Sequence, residues 1–547
     1  MSDGANRRRL YRGGSVYSPA DPFATAMLVD GDRVAWVGPD EAAAAHAGDA
    51  AEVVHLEGRL ITPAFVDAHV HTTETGLALG GLDLSGCSGP QELLDAVAAE
   101  AARHPGAPVL GHGWDESGWP PGQRPPSAAE LDRAGGGAEV YLSRADVHSA
   151  LVSSSLAARA GLGALRGWEE SGWVRTDAHH AARDATRAAL GPLRERAQRL
   201  ALRAAAAVGI GTVHEMSGPH IAAPGDLAAL VRLAGPQGEE PLPDVVPYLG
   251  VAAEDRGRVA EVLAAARAEG VELAGLAGDL CVDGALGSRT AALRRPYADA
   301  ATSGVLHLDA ERVRRHVLAC AGAGVQPGFH VIGDAAVDVV VEALLAAEAQ
   351  IGAPAVAAAG VRLEHVCAAD AEAIAVFARL GVSASVQPAF DATWGGSGGT
   401  YARRLGWSRA AGLHPFAALA AAGVPMALGS DAPVTPLAPW AGVRAAAFAA
   451  VPEHRISVRA AFLAHTRGGH RLAGRVAEPG VLVPGAPASY AVWEAEELVV
   501  QAPDARVAAW STDARSGTPG LPDLSPGLPL PQCRRTVVRG VPVHDEL

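Results

Sequence analysis

The sequence predicts an α/β protein: a (β/α)8 TIM-type barrel, a small β-sandwich domain formed from both chain ends, and a subdomain inserted after the first barrel strand. Three observations predict it. Both ends read as short strands separated by turns, whereas the middle alternates apolar runs with alanine-rich amphipathic stretches. The apolar runs of the middle number eight, and eight strand–helix units close a barrel rather than an open sheet. The segment between the first two runs is too long for one crossover helix.

Taken in order, the N-terminal end predicts strands over 10–17, 25–29, 33–37 and 52–56, with Asp30-Gly31 marking a turn. The C-terminal end predicts strands over 489–493, 497–501 and 536–543, with a Pro- and Gly-rich loop over 511–531. Residues 1–62 and 478–547 are therefore expected to form one composite β-sandwich. The barrel is expected over 63–477, with its insert at about 84–202. Its strands are expected at 64–71, 211–216, 244–251, 278–283, 326–332, 362–366, 383–388 and 425–431. Helical patterns such as 310–321 and 334–347 lie between them.

Composition narrows the function classes. Hydrophobic residues make up 49% and charged residues 19% of the 547 residues, which suits a globular chain with a large core. A net charge of −15 argues against a nucleic-acid partner. No apolar, charge-free run is long enough for a membrane span, and the arginines near the N-terminus lead into no apolar signal core. The five cysteines are scattered, as expected in a reducing cytoplasm. Every positively charged side chain is arginine; the chain has no lysine.

The chemistry sits at predicted strand ends. The first strand ends Asp67-Ala68-His69-Val70-His71, and strand alternation turns His69 and His71 to one face. In a barrel that face is the interior, at the C-terminal mouth where active sites lie. Two strand histidines could equally be solvent-facing. Further strand ends change the balance: Gly328-Phe329-His330, Arg362-Leu363-Glu364-His365 and Leu428-Gly429-Ser430-Asp431. A lone strand-end His is commonly structural, and a lone Asp is often a cap, but the full series points to a metal site. Nitrogen and carboxylate ligands suit zinc, iron or manganese. Asp431 could take a proton from metal-activated water and return it to the leaving group.

These motifs resemble the amidohydrolase superfamily, and more narrowly its amidohydrolase-3 group, which includes N-substituted formamide deformylases. The resemblance covers nearly the whole chain. It is carried by residues 62–71, Gly113-Trp114-Asp115, residues 142–148, Asp283-Gly284 with Gly287-Ser288-Arg289-Thr290, residues 330–334, Glu364-His365 and residues 429–433. It implies that His69, His71 and Asp431 bind the more buried metal. His330 and His365 would bind a second metal, or His365 would contact substrate. Many relatives place a carbamylated, metal-bridging lysine where this chain has Asp279. A carbamate bridge is therefore impossible here. Asp279 could bridge directly, but its short side chain puts one ion ahead of two. Cys281 is a further candidate ligand.

Other residues are expected to shape the substrate pocket. Asp115, Arg144, Asp146 and His148 belong to the insert, which could cover the mouth; a structural salt-bridge network is the competing reading. Arg289 could bind a carboxylate or orient a carbonyl. Trp114, Trp119 and Trp394 could line an apolar pocket or simply pack, and His214 could be structural or support the metal ligands. Residues 395–399 fit GxSxG but lack strand–turn–helix context, and His179-His180 has no ligand spacing. The expected activity is hydrolysis of an amide-type C–N bond, N-formyl or N-acyl, in a small molecule. Esters, cyclic amides or carbamates are alternative substrates, and a catalytically weak binding protein is the alternative class. One or two zinc ions are the expected cofactor. The expected setting is cytoplasmic, with no nucleic-acid or membrane partner, and a homodimer is the assembly to test.

Overall fold

The computed structural model describes residues 8–547 apart from 49, 51, 189–190, 237, 502–509 and 512–517. Eight parallel strands make one sheet in chain order: β1 (Phe65–Val70), β2 (Ile210–Ser217), β3 (Asp244–Leu249), β4 (Gly275–Leu276), β5 (Gln326–Val331), β6 (Arg362–His365), β7 (Ser383–Val386) and β8 (Met426–Leu428). A parallel bridge joins Val70 to Ala432, just past β8, so the sheet is a nearly closed barrel. Strands covered on both faces are largely apolar, and Phe65, Val66, Ala68 and Val70 of β1 are all buried. The outer helices follow the helical period. The helix Asp334–Ile351 turns Val337, Val340 and Leu344 to the core. The helix Ala310–Ala323 starts where the Asp309 side chain accepts from the Arg312 amide.

One barrel strand differs from expectation. The strand expected at 278–283 is confined to Gly275–Leu276. Gly278 adopts φ 91°, a left-handed conformation that ends the strand. Beyond it the chain meets β5 at an isolated Cys281–His330 bridge rather than in a continuous ladder. Two terminal strands are also split. Gly13 (φ 72°) separates Arg9–Arg12 from Ser15–Val16, and Arg539-Gly540, both at positive φ, turn 536–543 into a hairpin of Gln532–Val538 with Val541–Asp545.

The chain ends meet in one five-stranded sheet. Ser15–Val16 and Leu60–Pro63 join Tyr490–Glu494, Gln532–Val538 and Val541–Asp545. A second sheet holds Arg33–Gly38, Ala26–Asp30, Arg9–Arg12 and Glu52–His55. Tyr11, Met27, Val29, Ile61, Tyr490 and Val492 pack between them as in a sandwich. Within the expected loop 511–531, Leu521–Pro522 pairs with 498–499, while 512–517 lie outside the described residues.

After β1 come helix α1 (Thr72–Gly80) and a mixed sheet of Leu82–Asp83, Val109–Trp114, Val140–Arg144, Ser149–Val152 and Trp173–Arg175. Helices α2 (Thr176–Ala188) and α3 (Arg194–Ala207) return the chain to β2. Gly76 lets α1 approach α3 so closely that a Cβ there would strike the Ala197 carbonyl. Among the described residues no single helix is long and apolar enough to cross a membrane.

Candidate metal centre

Six side chains from the barrel's C-terminal mouth converge. His69 and His71 come from the end of β1, Asp279 follows β4, His330 and His365 end β5 and β6, and Asp431 follows β8. Asp279 Oδ1 lies 3.5 Å from His69 Nε2, 3.5 Å from His330 Nδ1 and 3.8 Å from His365 Nε2. Its Oδ2 lies 3.1 Å from His71 Nε2. Asp431 Oδ1 is 3.4 Å from His69 Nε2 and 3.2 Å from His71 Nε2. The detour at Gly278 carries the short Asp279 side chain into this cluster. His365 (φ 71°) and Asp431 (φ 57°) both hold left-handed backbones, the kind of strain that concentrates at functional sites.

The far edge of each ring is fixed by an acceptor. His69 Nδ1 donates to Glu364 Oε2 (2.9 Å), His71 Nδ1 to the Met216 carbonyl (3.0 Å), and His365 Nδ1 to Gln387 Oε1 (2.8 Å). His330 is reversed, with Nε2 donating to the Gly284 carbonyl at 3.3 Å. A ring that donates outward presents its unprotonated nitrogen inward. Burial would raise the Glu364 carboxyl, but Arg362 and His69 outweigh it and hold it at about 2. Burial acts on Asp279 in the same sense, and the surrounding histidines overcome it to keep that carboxyl well below its ordinary range. Asp283 accepts from the amides of Ala292, Ile332 and Gly333, which anchors the turn after His330.

Five of the inward-facing atoms are buried without a hydrogen-bond partner: His69 Nε2, Asp279 Oδ1, His330 Nδ1, His365 Nε2 and Asp431 Oδ1. A buried polar atom left unpaired costs about 1–3 kcal/mol, so the cluster is unfavourable unless something satisfies it. Three overlapping sets, His69/His71/Asp279, His69/His365/Asp431 and Asp279/His330/His365, bring one donor atom each to within 4.8 Å of one another. This donor set fits divalent metal ions of the zinc type.

The remaining candidates divide into those at the centre and those away from it. Asp146 and His148 line a cavity of about 30 Å³ with His330, His365, Phe390, Trp394, Tyr401 and Asp431. Burial, reinforced by His330, holds the His148 ring well below its usual range, in the neutral form. Outside lies a cavity of about 880 Å³ walled in part by Asp115, Trp119 and Trp394; Trp394 and Val434 border both cavities. Arg144 reaches neither. It ties Asp115, Glu116 and Asp146 together at 2.5, 2.9 and 3.0 Å. Arg289 is engaged by Asp299 at 2.8 Å and borders neither cavity. Trp114 is also not brought to the site: its side chain is enclosed in the insert's core and its indole donates to the Leu142 carbonyl. His214 accepts from Arg362 at 2.9 Å. Burial and Asp279 push the Cys281 thiol well above its usual range, so it stays protonated. Residues 395–399 link two short helices, Pro388–Trp394 and Thr400–Leu405.

Sequence reasoning assigned no role to Arg362, Glu364, Gln387, Phe390 or Tyr401. A charged pair inside the apolar run of β6 was the available signal for Arg362 and Glu364, because such groups are buried only when paired. The other three come from segments whose approach to the centre is purely tertiary.

Residues 52–544 match the model of the amidohydrolase family. YtcJ of Bacillus subtilis is 26% identical over 476 residues, covering 80% of this chain and 83% of its own length. N-substituted formamide deformylase of Arthrobacter pascens is 32% identical over 146 residues, 26% of each chain. Among solved structures, an uncharacterized metal-dependent hydrolase from Pyrococcus furiosus superposes with a TM-score of 0.66 at 26% identity, over 89% of this chain and 98% of that one.

Proposed function

The chain belongs to the amidohydrolase family, and from that premise we propose that this metal-dependent hydrolase cleaves an amide-type C–N bond of a small molecule, an N-formyl or N-acyl amine. The observation that carries the reading is the set of five buried, unpaired nitrogen and oxygen atoms facing one point. The partial likeness to a formamide deformylase supports the choice of bond.

In this reading His69, His71, Asp279 and Asp431 would hold one zinc ion, and His330, His365 and Asp279 would hold a second. On sequence grounds the short side chain of Asp279 put one ion ahead. Its oxygens lie within 3.8 Å of all four imidazoles, which supports two. When bound, such ions lower the pKa of water toward neutrality and polarise a carbonyl.

The chain's own residues do the rest. Asp431 accepts a proton from the attacking water as its oxygen bonds to the carbonyl carbon. It then returns that proton to the amine nitrogen as the C–N bond breaks. Neutral His148 borders the small cavity and donates a hydrogen bond to the carbonyl oxygen. Phe390, Trp394 and Tyr401 exclude bulk water. The small cavity of about 30 Å³ has room for a few heavy atoms, so it takes a small acyl group. The amine portion extends past Trp394 into the larger cavity. The five cysteines are unpaired, which suits the reducing cytoplasm proposed as its setting.

Elemental analysis and a screen of N-formyl and N-acyl amines test this. The expected result is about two ions per chain in the wild type and hydrolysis that falls by about 10²–10⁴ in Asp431→Asn when compared at matched metal content, since Asp431 is also a proposed ligand. Metal-replete protein that cleaves esters or carbamates but no amide would replace the proposed bond. Inertness to the whole panel would make it a binding protein.

A further inference from the structure

Helix α2, set aside in the sequence because His179-His180 has no ligand spacing, carries a cation that pairs with no carboxylate among the described residues. Among the described residues the Arg183 guanidinium has no hydrogen-bond or ion-pair partner, and its Nε is buried unsatisfied. Of the other arginines near the mouth, Arg144 is engaged by three carboxylates, Arg187 by Glu74, Arg289 and Arg404 by Asp299, and Arg362 by Glu364, while Arg403 is held by the Gly398 carbonyl and the Thr400 hydroxyl. Glu74 is held by Arg187 at 2.6 Å, and Asp184 by His220 at 2.8 Å. Glu74 lines the same cavity as Arg183 and, with Asp184, attracts Arg183 at longer range without pairing with it. His179 and His180 are neutral, chiefly through burial and also because Arg183 repels their charged forms. Burial and Arg187 lower the Arg183 pKa, yet a guanidinium starts so high that it stays charged. Arg183 is partly buried and its Nε is fully enclosed without a partner; such a donor is costly to leave unpaired, so the fold retains here a group that an anion would satisfy.

The location says which anion. Arg183 lines a cavity of about 50 Å³ with Glu74, His112, Tyr141, Ser143 and Val147. Its walls are chain neighbours of the metal centre: Glu74 follows His71, Val147 adjoins His148, and Pro433 follows Asp431. Ala78, Gly81, His112 and Pro433 also border the 880 Å³ cavity. The smaller space therefore opens beside the chamber assigned to the amine portion of the substrate, and its size suits one carboxylate rather than a whole molecule.

We propose that Arg183 binds a carboxylate carried by the amine portion of the substrate, so that the preferred substrates are acylated amines bearing a carboxylate, N-acyl amino acids in chemical class. This rests on the reading of the chain as an amide hydrolase. The role expected in the sequence for Arg289 passes to an arginine that has no partner of its own.

Calorimetric titration of the metal-replete protein with N-acetylglycine, uncharged N-methylacetamide and acetate tests it without turnover. The wild type is expected to bind the acid at least tenfold more tightly than the neutral amide. Arg183→Gln should lose that difference and Arg183→Lys should recover part of it, with affinity for the neutral amide unchanged throughout. Because Arg183 is unpaired, Arg183→Gln should not lower the melting temperature. Failure of the wild type to bind the acid, equal affinities for acid and amide, or a preference that survives Arg183→Gln would overturn the proposal. Acetate binding as tightly as N-acetylglycine would make this a free-anion site and overturn the substrate assignment. Intact acid binding without hydrolysis would count against the proposed reaction and leave this site standing.

Discussion

The Nδ1 of His69 lies 2.9 Å from Oε2 of Glu364, and the other oxygen of that carboxylate accepts from Arg362 Nε at 2.5 Å. All three side chains are fully buried. This chain of contacts sets the tautomer of a proposed metal ligand from outside the metal centre. Removing the negative charge while keeping the shape should loosen that control. Glu364→Gln is expected to weaken metal binding by about 10–100-fold, read by competition with a chelator. An unchanged affinity would remove Glu364 from the orienting role.

Asp279 contributes to two of the three donor sets. Asp279→Asn keeps the size and removes the charge needed to share two cations. The metal-to-protein ratio should fall from about two toward one. Because the chain has no lysine to carbamylate, wild-type metal content should not change when bicarbonate is stripped from the buffer during reconstitution. A ratio that depends on bicarbonate, or one that survives Asp279→Asn, would rule out the bridge.

Packing of α1 on α3 depends on the missing side chain at Gly76, whose Cβ would meet the backbone carbonyl, Cα and carbonyl carbon of Ala197. Backbone cannot swing away as a side-chain tip can. Gly76→Ala should cost about 1–3 kcal/mol by overpacking, measured by urea unfolding. Gly48→Ala, at a position with open space, is the control and should change stability by no more than about 0.5 kcal/mol.

His470 is buried with its Nδ1 unpaired. Burial, aided by Arg475 and Arg539 against the pull of Glu478, lowers its pKa from 6.5 to about 4. Between those values the unfolded chain binds the proton and the folded chain does not. The stability contribution is therefore complete above pH 6.5 and is lost as pH falls toward 4, by about 3 kcal/mol in full. Denaturant unfolding across that range should show a shallower acid slope for His470→Gln than for the wild type. Parallel slopes would count against a buried neutral imidazole.

Much of the fold was legible because both of its periods are local. The two-residue alternation of β1 placed His69 and His71 on one face, and helical spacing marked 310–321 and 334–347 before their packing was known. Where a single backbone position broke the pattern, the reading slipped. Gly278 has no side chain to bias an alternation argument, so the strand was drawn through 278–283, and the short side chain of Asp279 put one ion ahead of two. Trp114 could line an apolar pocket or simply pack, and it packs: its side chain turns into the insert's core.

The sequence by itself determined which residue types stand at the barrel's strand ends, and that no carbamylated lysine can bridge them. Both follow from local spacing and composition, which do not depend on how distant segments meet. Only the tertiary structure decided that Asp279 reaches four imidazoles, that Arg289 is spent on Asp299, and that Arg183 faces a cavity without a partner. Those facts depend on which charges from far-apart segments find each other when the chain closes. A side chain's pairing is a property of the space around it, and one-dimensional order does not carry it.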